Sequence, residues 1–236
     1  MSLHPLPTGD TLVLEGRMTL PADFEPVCLL ADAGAADITD VVRLEMFAVV
    51  SSNASATDTG DAMQVHISLP AGFLAHGPSV EDTVRRAQGL LSACLPSLTP
   101  DLSAFQRRRF TGISRLATGV VEAPYAAYRY VLACDVAPEA EAEINQWYDD
   151  EHLPGLASVP GVQQARRDLC RYDSPRYRAC YDVDQPDTVG CEAWLAVRHT
   201  PWTTRMIRSM HGVQRTMLRR LVTVCADSSP PPLHRG

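Results

Sequence analysis

The chain runs through one succession of local patterns twice, and that duplication constrains its fold more than any single motif. In the first half, "TLVLEGRMTL" (11–20) suits a strand. "PADFEPVCLLADAGAAD" (21–37) suits a helix, weakened by Pro26 and Gly34. "DVVRLEMFAVV" (40–50) and the alternating "AMQVHISL" (62–69) are strands around a turn-rich loop. "SVEDTVRRAQGLLSACL" (79–95) opens with Ser79 and places Asp82 three residues on, the pattern of a capped helix. "LSAFQRRRFTGISRL" (102–116) closes the half as a strand.

The second half repeats the order. "AYRYVLACDV" (127–136) is a strand, and "PEAEAEINQWYDDEHL" (138–153) a helix with Pro138 and acids in its first turn. "GVQQARRDLCRY" (161–172) and "PRYRACYDVD" (175–184) are strands. "DTVGCEAWLAVRHTPWTTRMI" (187–207) is a helix interrupted near Pro201, and "RTMLRRLVTVCA" (215–226) is the last strand.

Each half therefore reads β-α-β-β-α-β, the ferredoxin-like arrangement. A sheet with helices on one face leaves its other face to be covered. Two such sheets in one chain can cover each other around an internal cavity. The expected fold is α+β: two tandem ferredoxin-like βαββαβ halves pairing into a dimeric-α+β-barrel-like unit. The halves are placed at 10–117 and 126–227, with disordered tails at 1–9 and 228–236.

Composition removes several functions. The net charge of -7 lacks the basic excess of duplex-binding domains. All 21 basic residues are arginine, so a Schiff-base lysine, a phosphate-loop lysine and a lysine general base are excluded. Seven scattered cysteines with no C-x-x-C spacing argue against a disulfide framework and against zinc. Neither a membrane-length apolar run nor a secretory signal is present, which points to the cytoplasm. No dinucleotide fingerprint, phosphate loop, H-E-x-x-H or G-x-S-x-G occurs.

The chemistry concentrates in "NQWYDDEHLPGLASVPGV" (145–162). On a regular helix Tyr148 and His152 share a face, Trp147 and Glu151 share the next, and Asp149 reaches His152. Pro154 is expected to end the helix near His152. A histidine at a helix C-terminus with acids nearby is expected to favour its protonated form. His152 is then a candidate general acid/base, oriented by Tyr148 or Asp149, with Trp147 walling a ring ligand. Equally, His152 can cap helix carbonyls while Trp147 is core and Glu151 is solvated. Of the tandem arginines in strands, one of each pair should face inward, as at Arg166–Arg167 and Arg219–Arg220. Trp202 and Arg205 form an i, i+3 pair that could line a cavity.

The run "WYDDEHLPGLASVPGVQQARR" (147–167) resembles the W-Y-x-x-E-H-L-P…VPG…ARR signature of EthD-like proteins of the dimeric α+β barrel superfamily. "SPRYRACYDVD" and "HTPWTTRM" resemble further stretches of these relatives, so the likeness covers 127–227. The first half lacks the signature and is a degenerate copy or something else. The resemblance implies the fold and leaves function open among isomerases, cyclases, haem-degrading enzymes and cofactor-free monooxygenases.

The expectation is a cofactor-independent isomerase, cyclase, dehydratase or monooxygenase acting on a small hydrophobic, oxygenated ring compound. His152, Tyr148 and Asp149 are the catalytic candidates. Trp147, Glu151, Arg167, Trp202, Arg205 and Arg219 are the substrate-binding ones. The alternative is a non-catalytic binding or accessory protein; haem is a third option without a specific signature. No metal, cofactor, nucleic acid or membrane partner is expected, and a homodimer of the two-half unit is left open.

Overall fold

The computed structural model describes residues 3–6, 8–21, 24–30, 43–52, 61–77, 79–96, 98, 101–118 and 125–225. In chain order the strands and helices are β1 (Leu3–Pro5), β2 (Asp10–Arg17), β3 (Val27–Leu30), β4 (Arg43–Ser52), β5 (Ala62–Leu69), α1 (Phe73–His76), α2 (Val80–Cys94), β6 (Gln106–Thr118) and β7 (Tyr128–Val136). There follow α3 (Glu141–Trp147), a π-helical turn (Tyr148–His152), α4 (Leu153–Ala157), β8 (Val162–Leu169), β9 (Tyr177–Val183), α5 (Glu192–Arg198), α6 (Pro201–Ile207) and β10 (Met210–Cys225). The residues cluster into two units. One is centred on Thr111–Arg219 and the other on Gly9–Val49, Asp58–Phe110 and Arg220–Gly236.

In the C-terminal unit the antiparallel order is β8-β9-β7-β10. Counted within the unit this is 2-3-1-4, the ferredoxin-like order. β6 adds to β8, and β1 adds to β6. The strand β9, "YRACYDV", is buried at all seven positions. Its alternation separates two chemistries. Tyr177, Ala179, Tyr181 and Val183 join the helix-side core with Ile144, Trp147, Leu153, Leu156 and Trp194. Arg178, Cys180 and Asp182 occupy the opposite face. There the Arg129 guanidinium donates to both Asp182 oxygens at 2.5 and 2.9 Å, and Arg178 donates to Asp168. Arg166 and Arg167 are both buried, on opposite faces. Arg166 pairs with Asp168 at 3.6 Å, whereas Arg167 points to the helix side, opposite Ala179.

In the N-terminal unit the order is β4-β5-β2-β6, again 2-3-1-4. The fold repeats where sequence identity does not. α2 packs Val84, Ala87, Leu90 and Leu91 on Leu12, Leu14, Val65 and Ile67. Its cap is the expected one: the Asp82 N–H donates to Ser79 Oγ, and the Ser79 hydroxyl donates to the Asp82 carboxylate. The other face of this sheet also carries charge, with Arg220 donating to Glu45 and stacked over Phe47.

Several elements depart from the sequence expectation. Within the helix expected at 21–37, Val27–Leu30 is instead a strand, parallel to the end of β10 with Val27 opposite Val222. Pro26 has no N–H to give a helix, and an apolar run of four finds a sheet edge instead. Residues 31–37 lie outside the described part. The strand expected from 102 begins at Gln106, after a 3-10 turn at Leu102–Ala104 capped by Asp101. β10 starts five residues early, at Met210. It carries a bulge between His211 and Gln214, where Gly212 adopts φ 58°. Among the described residues no helix is long and apolar enough to cross a membrane.

Candidate functional site

The helix expected to end near His152 does not end there. α3 passes through the π-helical turn into α4 without a break. The Leu153 N–H donates to the Tyr148 carbonyl, five residues back. Pro154 explains the wide turn. A proline inside an α-helix collides with the carbonyl four residues behind it. One extra residue in the turn moves that carbonyl aside, and the helix continues.

The extra residue re-sorts the side chains. At 3.6 residues per turn, five positions advance a helix by one turn and about 140°. A regular helix would hold Trp147 and His152 apart. In the π turn their rings stack, with centroids 4.1 Å apart and planes 25° from parallel. Tyr148 meets His152 edge-on at 5.3 Å and Trp147 at 4.5 Å. Trp147, Tyr148 and His152 are all buried.

This placement reverses the expected charge of His152. It is not at a helix C-terminus, and among the described residues no acid reaches it. Burial first, then Arg198 and Arg167, pulls its pKa down from 6.5 to about 3. The imidazole is neutral at physiological pH, so one ring nitrogen donates and the other accepts. Its Nδ1 is enclosed and, among the described residues, has no hydrogen-bond partner. Burial also pushes the Tyr148 phenol well above its usual value, so Tyr148 is no ready proton donor.

Beside this trio lies a pocket of about 30 Å³, lined by Leu132 of β7, Trp147, Tyr148, His152, Arg198, Thr203, Ile207 and, from β10, Met210, Val213 and Arg215. It has room for about two water molecules, so a ring ligand requires side chains at the rim to swing out. Ile207 is exposed and Arg198 half-buried, and both can move. The lining contains two arginines and no acid.

Arg167 lies next to the trio and is 1% exposed. Its guanidinium sits 4.0 Å over the Tyr148 ring and 5.8 Å from the Tyr177 ring, and donates to Asn145 Oδ1 at 2.9 Å. Its Nη1 is enclosed without a hydrogen-bond partner. Among the described residues no carboxylate pairs with it.

The other candidates are placed elsewhere. Asp149 is exposed and makes no hydrogen bond to His152. Glu151 accepts a hydrogen bond from the Thr200 hydroxyl at 2.6 Å, tying the π turn to the cap of α6. Arg205 forms a surface ion pair with Glu143. Arg219 is exposed. Trp202 packs against the core and is not in the pocket lining. The structure thus gathers Trp147, Tyr148, His152 and Arg167, and adds Asn145, Arg198 and Arg215. Arg198 ends α5 one residue before the "HTPW" run, and nothing in its spacing marked it. Arg215 lies in β10 opposite Leu132, a register visible only in the sheet.

No family profile matches the chain, and no curated protein sequence matches it. Solved structures do. A candidate monooxygenase of Fusobacterium nucleatum superposes with a TM-score of 0.54 at 12% identity, covering 92% of this chain and 95% of that one. The fold is that of the dimeric α+β barrels. A candidate monooxygenase of Lactobacillus acidophilus shares this fold at a TM-score of 0.52 and 8% identity, covering 95% and 100%. An anthrone oxidase-like protein shares it at 0.50 and 14% identity, covering 98% and 99%. At such identities the likeness carries the α+β barrel fold and nothing of the reaction.

Proposed function

We propose that the chain is a cofactor-independent enzyme of the EthD-like type, moving a proton on a small oxygenated ring compound in the C-terminal-unit pocket. One observation carries this reading. His152 is a neutral, buried imidazole with an unpartnered nitrogen, at the wall of a pocket that holds cations and no acid.

The chemistry follows from the electrostatics. A ring C–H or O–H next to a carbonyl gives its proton to the imidazole, and the electron pair stays on the substrate oxygen. In the empty site His152 is a weak base, because it is buried and because its positive charge would add to those of Arg198 and Arg167. As negative charge grows on the substrate it offsets those cations, and the imidazole becomes a better acceptor. The stabilisation is therefore greater in the transition state than in the ground state, where it accelerates the step. Returning the same proton to a different atom isomerises or cyclises the compound with no change of oxidation state. The oxygenase variant uses dissolved O₂ as oxidant, a ring CH₂ and one O₂ giving a ring C=O and one water. Structural neighbours bear monooxygenase and anthrone oxidase-like names, which support a small-molecule enzyme-like role and single out no reaction.

A second reading, a non-catalytic binding or accessory protein, is favoured by the small volume of the closed pocket. The test is a thermal-shift panel of cyclic phenols, enols and lactones against wild type and His152→Gln, followed by turnover assays with the best ligand. The enzyme reading expects a ligand that stabilises wild type, is consumed by it, and is not consumed by the folded variant. Equal turnover by both proteins removes His152 from the chemistry. A ligand that binds but is never consumed supports the accessory role.

A further inference from the structure

We propose that the pocket of the C-terminal unit selects a ring compound bearing a carboxylate, and that Arg198 is the residue that holds it. The inference rests on the preceding reading of the pocket as a ligand site and names the substrate class.

The chain as a whole carries a net charge of -7, with 28 acids against 21 arginines. The pocket inverts that balance, with Arg198 and Arg215 in its lining and no aspartate or glutamate. Elsewhere in the same unit the other buried arginines each reach a carboxylate within the protein. Arg129 is paired with Asp182, and Arg178 and Arg166 with Asp168. Arg198 and Arg167 differ. Among the described residues neither has a carboxylate within ion-pair distance, and Arg198 makes no hydrogen bond.

An uncompensated cation in a low-dielectric wall is costly to keep, and its cost is recovered when an anion arrives. Arg167 is held by Asn145 and the Tyr148 and Tyr177 rings, so it acts on the pocket as a fixed positive field through Tyr148. Arg198 is half-buried at the rim and closes the helix α5, where it can reach a ligand as it enters. A guanidinium with both edges free suits the two oxygens of a carboxylate. Trp147 and Leu132 supply the apolar wall for the ring. A neutral ring leaves Arg198 uncompensated.

The experiment is calorimetric titration of the full chain with benzoate and with benzamide, which match in shape and differ in charge. The measurements are repeated for Arg198→Gln and for Arg205→Gln, a surface control on the neighbouring helix. The expected result is at least tenfold tighter binding of benzoate by wild type and by Arg205→Gln, falling to within twofold of benzamide in Arg198→Gln. Equal binding of both compounds by wild type overturns the carboxylate inference and leaves the pocket reading standing. A benzoate preference that survives Arg198→Gln overturns the role of Arg198. Absence of binding by either compound overturns the inference and counts against the pocket reading as well.

Discussion

The imidazole of His152 lies nearly flat on the indole of Trp147, five residues earlier in the same helix. That contact exists because the turn between them is a π turn. It shields one face of the imidazole, and the edge of Tyr148 shields more. The neutral state of His152 follows from this enclosure together with the two nearby guanidinium groups.

The first prediction concerns acid. The folded pKa of His152 lies near 3 and the unfolded one near 6.5, so the unfolded chain binds the extra proton first. The stability from neutral burial is complete above pH 6.5 and is lost as pH falls toward 3. By pH 5 the loss is about 2 kcal/mol. Urea melts from pH 7.5 to 4.5 should show His152→Gln with a shallower decline than wild type. Parallel curves would mean that His152 does not titrate between the two states.

Trp147 should govern that pKa. Trp147→Ala removes the stacked indole, and such truncations cost about 3–5 kcal/mol. Water entering the space should let the His152 signal titrate closer to 6.5 in nuclear magnetic resonance. A variant that loses stability but leaves His152 untitrated down to pH 4 would show that the remaining burial and the arginines hold it neutral without the indole.

The charged face of the C-terminal sheet makes a different forecast. Arg129→Met leaves Asp182 buried without its bidentate partner, at a cost of about 3–5 kcal/mol. Adding Asp182→Leu should recover most of it, because an apolar pair can replace a buried ion pair. A double variant as unstable as the single one would assign these residues a role beyond their mutual contact.

Gly155 tests how α4 meets α5. A Cβ there would come within 2.8 Å of Val197 Cγ1. Gly155→Ala should therefore destabilise by about 1–3 kcal/mol, as overpacking does. Val197→Ala in the same chain should relieve the strain. If thermal melts show Gly155→Ala to be neutral, the helix pair has slack.

The fold was largely readable in the chain because strand and helix periods repeat in the same order twice, and both units show the 2-3-1-4 strand order. Ser79 and Asp82 marked the start of α2 correctly, since a cap is a local contact. The site was only half readable. Trp147, Tyr148 and His152 were visible as a dense aromatic run. Tyr148 was rightly placed beside His152, but Trp147 was assigned to the next face because a 3.6-residue period was carried through a turn that does not keep it. Asp149 was brought to His152, and Glu151 to Trp147, on that same assumption. Arg198 and Arg215 were missed because their approach to His152 depends on sheet register and on how α5 and α6 pack. Arg167 was expected to face inward, yet Arg166 beside it is buried as well, because the strand is enclosed on both faces.

The π turn also sets how this site can be altered. The helix carries one residue more than a regular α-helix needs, and the wide turn absorbs it, so the segments before and after keep their facing. A single deletion between 148 and 152 would leave the indole and the imidazole four positions apart, still neighbours on a regular helix. It would also return the proline ring to the collision with the carbonyl four residues behind it. The proline, rather than the stacked pair, is therefore what holds this helix to its wide turn.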